Sequence, residues 1–163
     1  MKKPTLTAIG GSDVPARADA EEFYRELEID VLARTLWGEA RGEGTTGLEA
    51  VANVVLNRVK MAEENGGKFW WGSNIIQVRQ KPYQFSCWNR SDPSFKKLQA
   101  VTEENLYFAT SLRVARRAVL GQLEDYTGGA THYHADYVAP YWAKGETPTI
   151  VIGRHIFFDL KGA

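Results

Sequence analysis

From residue 20 onward, apolar stripes of helical period alternate with short polar interruptions. Ile29, Leu32, Ala33, Leu36 and Trp37 recur at i, i+3, i+4, i+7 and i+8, the spacing of one buried helix face. They predict a first helix over residues 20–37. The period returns with Leu48, Val51, Ala52, Val55, Leu56 and Val59, which predicts a second helix over 46–60. Thr45 or Thr46 is its expected N-cap, and Glu49 stands at capping-box spacing from Thr46. A third helix is expected over 102–120, with Phe108, Leu112, Ala115 and Val119 on one face and Gly121 as its stop. Residues 75–80 suit one or two helical turns. Two stretches rich in β-branched and aromatic residues, 130–135 and 149–158, predict strands. The pattern as a whole predicts an α+β fold, mainly helical, with a small C-terminal antiparallel sheet or hairpin.

Between the first two helices runs Leu36-Trp37-Gly38-Glu39-Ala40-Arg41-Gly42-Glu43-Gly44. Three glycines so close together favour a sharp turn over continued helix. Residues 81–89 are aromatic and carry Pro82, which restricts its neighbour to extended conformations; an ordered loop or short strand is expected there. Residues 1–19 show no period and are rich in Lys, Pro, Gly, Ser and Asp. They read as a flexible N-terminal arm, which leaves 20–163 as one domain.

Composition removes several function classes. Lys and Arg number 20, as do Asp and Glu, so no global basic field draws the chain to nucleic acid or to an anionic membrane. Cys87 is the lone cysteine, so no intramolecular disulfide forms. Its Phe-Ser-Cys-Trp context suggests a buried, inert thiol and not a nucleophile. The N-terminal residues lack the apolar run of a secretory signal, and no apolar span is long enough for a transmembrane helix. A monomer made in the cytoplasm without a recognisable signal peptide, and without membrane insertion, is expected.

The run LARTLWGEARGEGTTGLEAVANVVLNRV, residues 32–59, resembles the opening of the spore cortex-lytic, or cell-wall hydrolase, family of peptidoglycan-cleaving enzymes. The likeness continues in Gln84-Phe85-Ser86-Cys87-Trp88, in Thr127-Gly128-Gly129-Ala130 and in Ile152-Gly153-Arg154-His155, covering roughly residues 27 to 158. The first motif is specific; the later ones support it by order and spacing. One departure stands out: Tyr126 occupies the place of a proline common in the family. The resemblance implies a lysozyme-like domain that cleaves the glycan strand of peptidoglycan between N-acetylmuramic acid and N-acetylglucosamine. It further implies the chemistry of a lytic transglycosylase, in which one glutamate is acid and then base. Its expected partner is the peptidoglycan glycan strand, and an enzyme of this kind acts on the cell wall, by whatever route it is delivered there.

By position in the GEARGE motif the acid falls on Glu39. Glu43 is its competitor, and Arg41 is placed to pair with either carboxylate. Sugar rings pack their C–H faces on aromatic side chains while polar groups fix the hydroxyls. Trp88, Tyr133, Tyr137, Tyr141 and Trp142 are the aromatic candidates for such contacts, with Gln84, Ser86 and His134 as polar ones. Glu49, Asp125 and Asp136 have no evident claim to lie about 5–9 Å from the acid, as a two-carboxylate hydrolase requires.

Two rivals stay open. One is a zinc-dependent amidase or peptidase built on His132, His134 and His155, although no HExxH pattern accompanies them. The other is a non-catalytic glycan-binding module or structural phage component. The favoured reading assigns no metal and no cofactor, and gives His155 a structural role.

Overall fold

The computed structural model describes residues 14–67, 71–80 and 85–161. Most of the expected N-terminal arm, residues 1–13, and Gln84 lie outside them. The first helix, α1, spans Val14–Ala40, so it begins within the stretch read as an arm. Residues 17–27 are exposed, whereas Ile29, Leu32, Ala33, Leu36 and Trp37 are buried, as their spacing requires.

Gly38 and Glu39 remain inside α1, contrary to the expected turn. Gly38 is there for packing: a Cβ at this position would lie 2.8 Å from both Cβ and Sγ of Cys87. The chain turns only after Ala40, where the Glu43 amide donates to the Ala40 carbonyl at 2.9 Å. Gly44 then supplies the positive φ of 72° that other residues adopt at a cost.

Helix α2 spans Gly44–Glu64, longer at both ends than the expected 46–60. The capping box does not form. Glu43 occupies the N-cap position and makes no side-chain cap, because its carboxylate accepts from the Arg154 amide. Glu49 instead accepts from the Tyr126 hydroxyl at 2.7 Å and pairs with Arg117 at 3.4 Å. Leu48, Val51, Ala52, Val54 and Val55 are almost wholly buried, so α2 and α1 together form the core of the helical layer.

Helix α3 spans Ile75–Gln80 and α4 spans Phe95–Ala100. The expected helix over 102–120 is α5, Leu106–Val119. It starts late because the Asn105 side chain caps it, accepting from the Phe108 amide at 3.1 Å. Arg34 of α1 lies over the Phe108 ring and Glu26 pairs with Arg116, so α1 and α5 run antiparallel.

The strands are β1 (His132–Ala135), β2 (Ile150–Ile152) and β3 (His155–Phe158), antiparallel in the order β1-β3-β2. The run over 149–158 is thus a hairpin and not one strand. It folds back at Gly153-Arg154, where Gly153 takes a φ of 56°. Register pairs Tyr133 with Phe157 and His134 with Ile156. One face of β1 therefore carries Tyr133 and Ala135, and the other His132 and His134.

A polar ridge on α2 positions the approach to this sheet. Asn53 donates to the Glu124 carbonyl at 3.1 Å, Asn57 to the Ala130 carbonyl at 2.9 Å and Arg58 to the Thr131 carbonyl at 2.7 Å. Arg58 is itself buried, with its guanidinium over Trp71 and Phe85, and burial lowers its pKa to about 10. A buried cation and two amides thus satisfy the carbonyls of Glu124, Ala130 and Thr131 that lead into β1.

Candidate active site

Glu39 stands in the last turn of α1, held there by the buried stripe that precedes it. The Tyr133 hydroxyl donates to its Oε2 at 2.7 Å. The Cys87 amide points at Oε1 from 3.5 Å, the edge of bonding distance. Tyr133 comes from β1, stacked on Phe157 with ring centroids 5.7 Å apart. Burial, and then the nearby Glu39 carboxylate, push the Tyr133 pKa well up, so the phenol stays a proton donor. Burial raises the Cys87 thiol too, with Glu39 adding to the effect. This thiol is inert, as its sequence context suggested.

Glu39 and Tyr133 open into a cleft of about 400 Å³. Ser86, His134 and Tyr137, all singled out from the sequence, line it as well. Tyr137 is 78% exposed, and Arg154 lies 5.5 Å from its ring centroid. His134 Nδ1 is 2.8 Å from the Ala135 carbonyl oxygen. A carbonyl can only accept, so Nδ1 carries a proton. An adjoining apolar groove of about 510 Å³ shares His134 and Val138 with the cleft. Tyr141, 91% exposed, lines it together with Phe158. Trp142 packs edge-on against Phe158 and His134.

The other candidates are placed differently. Trp88 does not reach the cleft; its Nε1 donates to Thr35 Oγ1 at 2.9 Å and Arg79 covers its ring. Arg41 makes no ion pair with Glu39 or Glu43. It donates back to the Trp37 carbonyl at 3.1 Å and lies over the Trp37 ring, closing the end of α1. Glu43 Oε2 accepts from the Arg154 amide at 3.0 Å against Gly153, which ties the start of α2 to the hairpin turn. Asp125 accepts from Thr127 and Asn57, and Asp136 pairs with Arg154. Neither lines the cleft.

Two cleft residues were not placed there by the sequence: Asp92 was unread, and His155 was given a structural role or, in the rival reading, a metal-ligand role. Asp92 lines it, with Oδ1 accepting from the Ser94 amide at 2.8 Å; Asp-Pro-Ser reads locally as a turn and nothing more. His155 lines it as well. His155 opposes Ala135 in the register, so it shares the Tyr133 face and points away from His132 and His134. The three histidines therefore do not converge. Among the described residues, no group of three or more His, Cys, Asp or Glu side chains is placed to hold a metal ion. A depression of about 530 Å³ between α1 and α5 is larger, but its Arg34 and Arg116 already pair with Asp30 and Glu26.

Residues 42–158 match the family model described as cell wall hydrolase. The chain belongs to the cell wall hydrolase family. It is 34% identical over 137 residues to a spore cortex-lytic enzyme of Halalkalibacterium halodurans, covering 82% of this chain and 35% of that one. A spore cortex-lytic enzyme of Bacillus cereus is 30% identical, covering 82% of this chain and 45% of its own length. The chain thus spans less than half of these curated relatives.

In solved structures, the family fold appears in the catalytic domain of the germination-specific lytic transglycosylase SleB from Bacillus anthracis. That domain superposes with a TM-score of 0.61 at 28% identity, over 81% of this chain and 93% of that one. The catalytic domain of the Bacillus cereus SleB protein gives a TM-score of 0.60 at 28% identity. The α+β, lysozyme-like architecture is thus that of the family. The family match begins at Gly42, just past Glu39, so the standing of Glu39 rests on the geometry described above.

Proposed function

We propose that this cell wall hydrolase cleaves peptidoglycan between N-acetylmuramic acid and N-acetylglucosamine, as a lytic transglycosylase with Glu39 as its acid and base. The observation that carries the reading is the placement of Glu39, whose Oε2 is held by the Tyr133 hydroxyl in the wall of an open cleft. With Oε2 occupied, Oε1 delivers the proton to the glycosidic oxygen as the bond to the muramic anomeric carbon breaks. The Glu39 carboxylate then takes the proton from the muramic 6-hydroxyl, whose oxygen closes on that carbon. The product ends in 1,6-anhydromuramic acid and no water is consumed. The exposed aromatic rings of the cleft and the adjoining groove suit the apolar faces of a sugar strand. Among the described residues, no helix is long and apolar enough to cross a membrane. The proposal is of a monomer acting on the wall from the aqueous side.

Asp92 favours a second reading. A second carboxylate in the cleft is what a hydrolase uses to activate water or to form a glycosyl-enzyme bond. Its engagement as a cap on Ser94 argues for a supporting place instead. Mass spectrometry of fragments released from purified peptidoglycan decides between them. Anhydro ends, lighter by one water than reducing ends, and resistance of 6-O-acetylated strands are expected. Reducing ends alone, lost in Asp92→Asn, would establish hydrolysis. Binding to the wall without release of soluble fragments would establish the non-catalytic module.

A further inference from the structure

His155 enters β3 just after the hairpin turn and is 7% exposed, yet it forms part of the cleft wall. Its ring lies against Tyr133 with centroids 4.9 Å apart, and against Phe157. Nδ1 is buried with no hydrogen-bond partner. A neutral imidazole has a single ring proton, and a buried N–H left unbonded forfeits a strong bond to water. Orphaned buried donors are rarer than orphaned acceptors. The proton therefore belongs on Nε2 and not on the buried, unbonded Nδ1.

Charges around the ring agree with this placement. Glu43, Glu39 and Asp136 draw positive charge towards the ring, while burial and His134 oppose it; burial dominates and the His155 pKa is lowered. The ring is thus a donor in a wall that also carries the Ser86 and Tyr137 hydroxyls and the Glu39 and Asp92 carboxyl groups, and in which the Tyr133 proton is already given to Glu39. Neutrality also suits the chemistry, because a cation here would oppose the positive charge that develops at the anomeric carbon.

We propose that His155 is a substrate-binding residue of the cleft, donating from Nε2–H to the acetamide carbonyl oxygen of the amino sugar beside Glu39. A carbonyl oxygen can only accept, and it is the strongest neutral acceptor that an N-acetylated sugar presents. This inference rests on the reading that a glycan strand occupies the cleft. It gives His155, expected from the sequence to be structural, a direct part in selecting N-acetylated over de-N-acetylated strands.

The test uses the full chain labelled at the imidazole nitrogens, with tri-N-acetylchitotriose as the probe. Nitrogen NMR at pH 8 should show His155 with its single ring proton on Nε2, and the Nε2 signal should shift on adding the saccharide. A proton on Nδ1, or a ring that does not move, overturns the proposal. In kinetics, His155→Phe keeps the ring packing and loses the donor. It should raise KM about tenfold with kcat little changed, while His155→Gln, which retains a neutral donor, recovers most of the affinity. Wild-type KM in His155→Phe also overturns it, and if that variant does not fold, the NMR measurement and His155→Gln decide. Failure of the glycan-cleavage reading shows separately, as wild-type protein that releases no fragments from peptidoglycan.

Discussion

The Tyr133 hydroxyl lies 2.7 Å from Glu39 Oε2, joining the last turn of α1 to β1 across 94 positions of sequence. The donor is fixed by aromatic stacking within the sheet and the acceptor by a helix anchored in the core. The carboxylate orientation is therefore set before substrate arrives. Glu39→Gln should fold and lose at least about a hundredfold in glycan cleavage, the scale of a general acid. Tyr133→Phe should lower kcat about tenfold with little change in KM, as for one hydrogen bond to a charged group. Release of soluble fragments checks both, with circular dichroism to confirm the fold.

Glu43 has a different part. Its bond to the Arg154 amide buckles the start of α2 to the β2–β3 turn. Glu43→Ala should cost about 0.5–1.5 kcal/mol in urea unfolding, the net worth of a solvent-accessible hydrogen bond. Glu43→Gln should retain most cleavage activity. Loss of activity in Glu43→Gln, with Glu39→Gln active, would transfer the acid to Glu43.

Gly38 sets how closely the 3₁₀ turn at Ser86–Trp88 approaches α1. Adding a methyl group there drives it into the Cβ and Sγ of Cys87. Gly38→Ala should cost about 1–3 kcal/mol, as overpacking does, and should weaken cleavage by displacing the wall beside Glu39. The double variant Gly38→Ala with Cys87→Gly removes the clashing atoms and should recover part of the melting temperature.

His132 makes stability sensitive to acid. Burial, and then the Arg58 charge, lower its pKa from 6.5 to about 4 in the folded chain. The unfolded chain binds the proton more readily, so this contribution is complete above about pH 6.5 and is lost progressively as pH falls towards about 4. Thermal melts at pH 7 and pH 5 should show the fall. His132→Gln should flatten that part of the pH profile, and an unchanged slope would assign it to other groups.

The faces of α1, α2 and α5 were legible because helical period is local: neighbouring residues carry the signal that the core later uses. Gly38 was misread for a physical reason. Glycine marks either backbone freedom or the absence of a Cβ, and only the position of Cys87 tells which. The hairpin within 149–158 was hidden because apolar residues flank its turn on both sides. The capping box at Thr46 and Glu49 was a sound local pattern, overridden when Glu43, Tyr126 and Arg117 supplied tertiary partners.

The same division runs through the site. Local sequence determined the family, the buried faces of the helices on either side of the Glu39 segment, and the separate candidacy of Glu39, Ser86, Tyr133, His134 and Tyr137. It put Glu39 itself, however, in a turn and not in the last turn of α1. Only the tertiary structure joined Glu39 to Tyr133 and drew Asp92 and His155 into the cleft. It also left Trp88 outside the cleft and put His155 on the opposite face from His132 and His134. The physical reason is one of range: helix period and turn chemistry act over a few residues. Which side chains meet in a cleft depends instead on strand register and on Asn53, Asn57 and Arg58 bonding to carbonyls some seventy residues away.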